Sequence, residues 1–255
     1  MDKLTAFIFL CLCLLIIFLA CCAESTGEQG QYVVNAESND TVQVGDIIVF
    51  GDYEWLVLEV NAETMLIITK NIIFRKPFHN TWEGVTWEES TLRHYLNNDF
   101  LDTFTEAERK RILPNATQTP DNWWWRTRGG NYTTDYIFLL SIEEVLRFFG
   151  DNGQMMMPVP YFPWRRTRIS DEYNPNRVAF CRDGIAESWW LRSPGFDYDF
   201  IAFVFHDGII SIDGGLIVTG HGHWRYYSPV IGGVRPVLLL DMGKSSYINN
   251  TRYFE

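Results

Sequence analysis

Short apolar runs separated by turn residues constrain the fold of this chain more than any other feature of its sequence. In the segment VQVGDIIVFGDYEWLVLEVNAETMLIITKNIIF at 42–74, three runs rich in β-branched and aromatic residues are separated by GD at 51–52 and by NAE at 61–63. Such runs, bounded by Gly, Asp and Asn, are typical of strands joined by tight turns. The segment therefore predicts an antiparallel β-meander.

The C-terminal third shows the same pattern. The runs FIAFVF and IISI flank HDG at 206–208, and the runs IISI and LIV flank DGG at 213–215. Glycine readily adopts the positive φ angles that tight turns need, so both positions predict β-hairpins. The run GGVRPVLLL at 232–240 predicts a last strand, in which Pro236 favours an edge or an irregular position because proline has no backbone N–H to donate.

Short helices are predicted between these strand-rich regions. The segment EESTLRHYLNNDFLDTF has apolar residues at helical spacing and polar residues on the other face. Two further helices are predicted to begin with capping boxes, in which Thr105 pairs with Glu108 and Ser141 pairs with Glu144; Gly150 ends the second of these helices. Together with the meander and the hairpins, these helices predict an α+β fold.

The N-terminal residues predict export from the cytoplasm. Lys3 precedes an apolar run at 6–23 that is followed by polar residues, which is the pattern of a secretion signal. The sequence FLAC at 18–21 resembles a bacterial lipobox, although Phe18 departs from the usual leucine, and Cys21 is the predicted site of lipidation. An uncleaved membrane anchor is the alternative, because the run approaches the roughly 20 apolar residues of a spanning helix.

A single domain is predicted, because the chain has no internal repeat and no second shift in composition. The predicted organisation is a lipoprotein signal peptide at 1–20, a polar linker at 21–40, one domain at 41–243 and a C-terminal tail at 244–255. Either interpretation of the N-terminus places the domain outside the cytoplasm, tethered to the membrane of the cell envelope.

Cysteine content and charge exclude several classes of protein. Four of the five cysteines lie in or beside the signal segment, which leaves Cys181 as the one thiol of the domain. Neither an intradomain disulfide nor a cysteine-based metal cluster is then possible. A lone cysteine in VAFCRDG favours a small buried apolar side chain, with a nucleophile as the alternative. The formal net charge of −11 disfavours polyanionic partners, so no nucleic acid is expected.

Several segments, read in order, resemble a family of bacterial extracytoplasmic domains of unknown function. These segments are EWLVLEV, VTWEESTLRHYLNNDFL, IFLLSIEEV, WWLRSPG, HDGII and GGVRPVLLL. The C-terminal part also resembles the C-type-lectin-like fold of formylglycine-generating enzymes and of the target proteins of diversity-generating retroelements. The resemblance implies an α+β domain in which the meander and short helices lead into a C-type-lectin-like, β-rich C-terminal half.

The resemblance also implies roles for the WWLRSPG motif at 189–195. Its Trp-Trp-Leu segment is expected to form a core strand, and its Ser-Pro-Gly segment is expected to turn the chain toward the surface. Arg192 is expected to tie adjoining loops together by hydrogen bonds. For Arg192 and Arg235, an anion clamp is one interpretation. We favour buried structural arginines paired with carboxylates, because both residues lie in apolar strand sequence.

Two loop-like stretches, GFDYDF at 195–200 and TGHGHWRYYSPVIGG at 219–233, are the predicted ligand-binding region. The resemblance to the retroelement-diversified proteins implies this, because the corresponding region forms their binding face. Aromatic side chains with polar tips give a large contact area at a modest entropic cost. The predicted aromatic platform consists of Tyr198, Phe200, Trp224, Tyr226 and Tyr227, with Asp197, Asp199 and Arg225 as polar contacts. The alternative is that half of the aromatic rings pack beneath the loops.

Three consecutive tryptophans at 123–125 form a second aromatic concentration. Alternate side chains of an extended segment point to opposite faces, so at least one ring should be exposed or cover a neighbouring loop. Trp124 is therefore added to the predicted ligand-binding residues. The alternative is a hydrophobic lid over the meander.

No metal or cofactor is expected. His221 and His223 are spaced so that both imidazoles point to one side of an extended chain, but no third ligand accompanies them, which favours a solvent-facing loop. The predicted function is a tethered, non-enzymatic module that binds an extracellular protein or glycan. The alternatives are an enzyme related to formylglycine-generating enzymes that uses Cys181, a hydrolase with paired carboxylates, and a purely structural envelope protein.

Overall fold

The computed structural model of this chain describes residues 42–153, 168–218 and 232–243. The chain divides into two units, Met1–Asp40 and Thr41–Glu255, and every described residue belongs to the second unit. The predicted signal peptide, linker and C-terminal tail lie outside the described residues. Within those residues, no helix combines the length and the hydropathy needed to cross a bilayer.

Strands predominate among the elements, and the helices are short. The strands are β1 (Ile47–Phe50), β2 (Tyr53–Val60), β3 (Thr64–Thr69), β4 (Phe74–Arg75), β5 (Ile112–Leu113), β6 (Asn115–Thr117), β7 (Thr133–Asp135), β8 (Ile137–Phe138), β9 (Arg168–Ile169), β10 (Ala179–Phe180), β11 (Ala186–Glu187), β12 (Trp189–Pro194), β13 (Phe200–Val204), β14 (Ile210–Leu216), β15 (Gly233–Val234) and β16 (Val237–Asp241). The helices are α1 (Thr91–Tyr95), α2 (Glu106–Arg111), α3 (Ile142–Phe149) and α4 (Asn174–Arg177), and α1 continues into a π-helical turn (Leu96–Phe100) and a 3₁₀ turn (Leu101–Thr103).

The meander sheet has the order β1-β2-β3-β16-β5, and β8 also pairs with β16. All of its pairings are antiparallel. Strands β1, β2 and β3 follow one another along the chain with turns at the predicted positions. The predicted β-meander is therefore confirmed.

The C-terminal sheet has the order β4-β15-β12-β13-β14-β9 and is mixed, because β12 pairs with β15 in parallel. The hairpin between β13 and β14 turns at 206–208, as predicted, and Gly208 has a φ of 84°. Strands β6 with β7 and β10 with β11 form two small additional sheets. A domain with short helices and mixed, strand-rich sheets agrees with the predicted α+β class.

The prediction of a second hairpin, at 213–215, is wrong. These residues lie inside the continuous strand β14, whose register against β13 shifts between Ile201 and Phe203. Gly214 has a φ of 86°, and a Cβ added to it would lie 2.7 Å from the backbone of Ile201. The glycine therefore permits a bulge and a close approach of two strands, rather than a turn.

The segment 232–240 forms two strands instead of one. Strand β15 belongs to the C-terminal sheet and β16 to the meander sheet, and the chain crosses between the sheets at Arg235 and Pro236. Pro236 accepts a hydrogen bond at its carbonyl from the backbone N–H of Thr69, at 3.0 Å. The irregular position predicted for Pro236 is confirmed, and its cause is the crossing.

The helical predictions are also confirmed. Leu92, Leu96 and Phe100 are buried along one face of the continuous helical segment. Both capping boxes are present: the first residue of each pair accepts a backbone hydrogen bond at its side chain, and its partner, Glu108 or Glu144, accepts one in return. One hydrophobic cluster includes residues of both large sheets and of the helices.

Candidate functional site

The first six residues of the WWLRSPG motif form β12 (Trp189–Pro194), which is buried along its whole length. The indole N–H of Trp189 donates to the carbonyl of Arg177 at 3.0 Å, and that of Trp190 donates to the carbonyl of Lys76 at 2.9 Å. Both rings are fully buried and satisfy their only polar group within the fold. The expected role of the Trp-Trp-Leu segment as a core strand is confirmed. The turn expected at Ser-Pro-Gly is corrected, because Ser193 and Pro194 continue the same buried strand and the turn begins at Gly195.

Arg192 joins three parts of the chain. Its guanidinium donates to the carbonyls of Leu139 and Gln118 and forms a two-pronged pair with the carboxylate of Glu144. The Arg192 side chain is buried, while that of Glu144 is about a quarter exposed. The interpretation of Arg192 as a structural arginine paired with a carboxylate is confirmed.

Arg235 is also buried, but the predicted carboxylate partner is wrong. Its guanidinium donates to the carbonyls of Thr69 and Lys70 at 3.1 and 3.2 Å, and it lies 4.8 Å from the ring centre of Trp189. No ion pair of Arg235 occurs among the described residues. Burial lowers the pKa of Arg235 to about 9. Carbonyl oxygens and an aromatic face therefore stabilise this charge at the crossing between the sheets.

Residues 195–200, which we call the aromatic turn, connect β12 to β13 and are held by their backbone. Gly195 N–H donates to the carbonyl of Phe200 at 2.7 Å, and Phe200 N–H donates to the carbonyl of Asp197 at 3.0 Å. Phe196 N–H donates to the carbonyl of Asp213 on β14, at 2.9 Å. The turn is thus closed on itself and bound to the neighbouring strand.

The aromatic turn presents only some of its side chains. Phe196 and Tyr198 are each 38% exposed, and Asp197 is exposed. Phe200 is half-buried and its ring centre lies 4.2 Å from that of Phe196. Asp199 is half-buried, and burial together with the charge of Asp197 raises its pKa. Tyr198 and Asp197 are thus exposed to solvent, whereas Phe200 mainly packs within the turn.

A second segment, which we call the tryptophan loop (residues 79–85), lies against the aromatic turn. Val85 N–H donates to the carbonyl of Tyr198 at 3.2 Å. A Cβ added to Gly84 would lie 2.7 Å from Cβ of Tyr198 and 3.1 Å from Oδ1 of Asp199, so only glycine permits this approach. Trp82, two residues earlier, is 51% exposed. Sequence reasoning missed Trp82, because no local pattern indicates that this loop meets a turn more than a hundred residues away.

The three consecutive tryptophans support the aromatic turn from another side. The Trp125 ring centre lies 5.8 Å from that of Phe196, and the Thr127 hydroxyl donates to the carbonyl of Phe196 at 3.1 Å. Trp124 is only 6% exposed and stacks on Trp123 at 4.5 Å. The prediction of Trp124 as a ligand-binding residue is corrected here, because its neighbours cover most of its ring.

Other predicted site residues lie outside the described residues. They are Trp224, Arg225, Tyr226, Tyr227, the histidines His221 and His223, and the predicted lipidation site Cys21. The aromatic platform that the structure describes therefore consists of the aromatic turn and the tryptophan loop. We call these two segments together the platform.

Cys181 is half-buried, which corrects the prediction that it is a buried apolar residue. It lines a shallow groove of about 370 Å³ together with Ile72, Phe74 and Arg75. Burial and the neighbouring carboxylate of Glu187 raise the pKa of the Cys181 thiol to about 11. A thiol with a raised pKa is a poor nucleophile at neutral pH because little thiolate is present.

Among the described residues, no group of three or more His, Cys, Asp and Glu side chains could hold a metal ion.

Comparison with known proteins identifies a family and no closer relative. No curated protein and no solved structure matches the chain. The profile of a domain of unknown function, DUF6273, matches residues 62–242. This match spans more than two thirds of the chain and includes the aromatic turn and both strands of the crossing. The chain therefore belongs to the DUF6273 family of domains of unknown function.

Proposed function

We propose that this domain is a non-enzymatic binding module that captures an extracellular protein or glycan through the platform. The observation that carries the proposal is the construction of the aromatic turn. Its backbone is held by hydrogen bonds within the turn, to β14 and to the tryptophan loop, while Tyr198 and Phe196 remain exposed. A binding surface that is rigid before contact loses little conformational entropy when a partner binds.

The position of the platform on the scaffold supports the same proposal. The aromatic turn directly follows the buried strand β12, and Asn122 donates to the carbonyls of Pro194 and Ile212 at 2.8 and 2.7 Å, which fixes the end of that strand. Rigid scaffolds that present variable loops are common among binding proteins. We propose a C-type-lectin-like scaffold for the C-terminal half, on the order of its features: a Trp-rich strand that includes Arg192, a hairpin, and the short strand β15 followed by Arg235.

The proposed module is tethered to the outside of a membrane through a lipid on Cys21. Mass spectrometry of the mature N-terminus is expected to find an acylated Cys21 as the first residue, because FLAC at 18–21 resembles a lipobox. An unmodified N-terminus at Ala23 or beyond would contradict the lipoprotein proposal. It would leave the binding proposal unaffected.

Tyr198→Ala is expected to weaken partner binding about tenfold or more while leaving stability nearly unchanged. Exposed aromatic anchors at the centre of an interface often contribute that much or more to affinity. The exposed position of Tyr198 limits the expected loss of stability to about 0.5 kcal/mol. A glycan array and an array of extracellular proteins would identify the partner, and titration of the full chain would measure its Kd.

Tyr136→Ala is the matched control, because Tyr136 is 42% exposed and lies between β7 and β8 instead of on the platform. The control variant is expected to bind the partner as the wild type does. Equal loss of affinity in both variants, or no loss in either, would contradict the assignment of the binding surface to the platform.

A further inference from the structure

The platform combines exposed aromatic rings with carboxylates. Trp82 is 51% exposed and Tyr198 is 38% exposed, so part of each ring can contact a partner. Glu83 and Asp197 are exposed beside them, and Asp199 is half-buried. Gly84 packs against Tyr198 and Asp199, and Val85 N–H donates to the carbonyl of Tyr198 at 3.2 Å, so Glu83 is adjacent in the chain to the residues that join the two segments.

Among the described residues these carboxylates form no ion pair, and Asp197 Oδ1 accepts a hydrogen bond from the backbone N–H of Tyr198 at 2.8 Å. None of the eight ion pairs found there includes Glu83, Asp197 or Asp199. Some acidic residues elsewhere in the fold are paired with arginine, as Glu144 is with Arg192 and Asp135 is with Arg93. The platform is therefore an acidic surface whose charges remain available to a partner.

Aromatic rings next to free carboxylates are complementary to organic cations. A lysine ammonium or an arginine guanidinium placed over an aromatic face is attracted to the negative face of the ring, and a nearby carboxylate adds a charge-assisted hydrogen bond. A neutral sugar would gain the ring contact and hydrogen bonds from its hydroxyls to the carboxylates, but not the attraction between opposite full charges, and an acidic glycan would be repelled. The charge complementarity accordingly favours a basic polypeptide over a glycan.

We infer that the platform binds a lysine- or arginine-bearing segment of a partner protein, with a basic side chain lying between Trp82, Tyr198 and the carboxylates of Glu83 and Asp197. This inference rests on the proposed binding function and narrows it to one class of partner. Electrostatic attraction also increases the rate at which such a partner associates, and salt weakens it.

The test uses the full chain and an array of randomised dodecapeptides. Captured peptides are expected to be at least twofold enriched in lysine and arginine over the array as a whole. For the best lysine-containing peptide, the double variant Glu83→Gln/Asp197→Asn is expected to raise the Kd about tenfold or more. Acetylation of the lysines, which removes their charge, should have a similar effect. Raising the salt from about 50 mM to about 300 mM should also weaken binding, because it shortens the screening length.

The matched control is Asp52→Asn/Glu63→Gln, which removes two exposed carboxylates from turns of the meander sheet. This variant should change the Kd less than twofold. An equal effect of both double variants would show that overall charge drives binding, which overturns the inference. Capture of neutral or acidic peptides, or of a glycan whose binding needs Tyr198, would overturn the inference and leave the proposed function standing. If no peptide, protein or glycan is bound through Tyr198, the proposed function itself fails.

Discussion

Glu144→Gln is expected to lower the free energy of unfolding by about 3 kcal/mol, because it leaves the buried guanidinium of Arg192 without its counter-charge. Arginine does not lose its proton in proteins, so the positive charge stays in place. Glutamine keeps the shape of glutamate, and glutamine at this helical position also completes a capping box. The variant therefore removes the charge of the pair while keeping the cap of α3.

Glu108→Gln provides a closely matched control. Glu108 holds the same position in the capping box of α2, where it accepts hydrogen bonds from the backbone and the hydroxyl of Thr105. None of the ion pairs among the described residues includes it. Its replacement is expected to cost about 0.5 kcal/mol or less. Urea denaturation of both variants measures the difference. Equal, small losses would show that the Arg192–Glu144 pair contributes little to the stability of the fold.

These two glutamates also show how far sequence reasoning reached. Both capping boxes were predictable because the residues that form them are three positions apart in the chain. The second role of Glu144, as the partner of Arg192, was not predictable because 48 residues separate the two. The sequence indicated a buried arginine but carried no signal for the carboxylate that it meets.

The difference between local and long-range signals also explains the errors in the predicted fold. The sequence DGG at 213–215 has the local composition of a hairpin turn, but the glycines serve a close approach to Ile201 on the paired strand. Likewise, the segment GGVRPVLLL is continuous in apolar character, and its division between two sheets depends on strands from distant parts of the chain. Turn-forming residues predict that the backbone can adopt unusual φ angles at that position. Pairing with distant strands decides whether the position becomes a turn or a bulge within a strand.

The platform was predictable in part. Asp197 and Tyr198 were identified because GFDYDF is loop-like, combines aromatic with polar side chains, and lies in the region that the resemblance implies as a binding face. Trp82 was missed and Trp124 was misassigned, since exposure depends on which loops pack together. Among three consecutive aromatic residues the sequence requires that at least one avoid the core face, but it does not say which one.

Trp190→Ala is expected to lower the free energy of unfolding by about 3–5 kcal/mol, the usual cost of truncating a buried tryptophan. The ring is fully buried and packs edge-on against Phe78 and Phe203, at 6.3 and 6.2 Å between ring centres. A Cβ added to Gly232 would lie 2.2 Å from this indole, so the glycine is required for the ring to fit. The truncation therefore leaves a large cavity between β12 and its neighbours and removes the donor to the carbonyl of Lys76.

Two further variants make this expectation decisive even if Trp190→Ala does not fold. Trp190→Phe keeps most of the apolar volume but leaves the carbonyl of Lys76 without its donor, so its loss should be smaller, about 1–3 kcal/mol. Trp82→Ala removes an exposed ring and should cost about 0.5 kcal/mol or less. Thermal and urea denaturation would order the variants from Trp82→Ala through Trp190→Phe to Trp190→Ala. The proposed function requires the buried rings of β12 to hold the aromatic turn and the rings of the platform to remain exposed. If Trp82 were needed for folding and Trp190 were dispensable, the assignment of β12 to the scaffold and of the platform to the binding surface would be wrong.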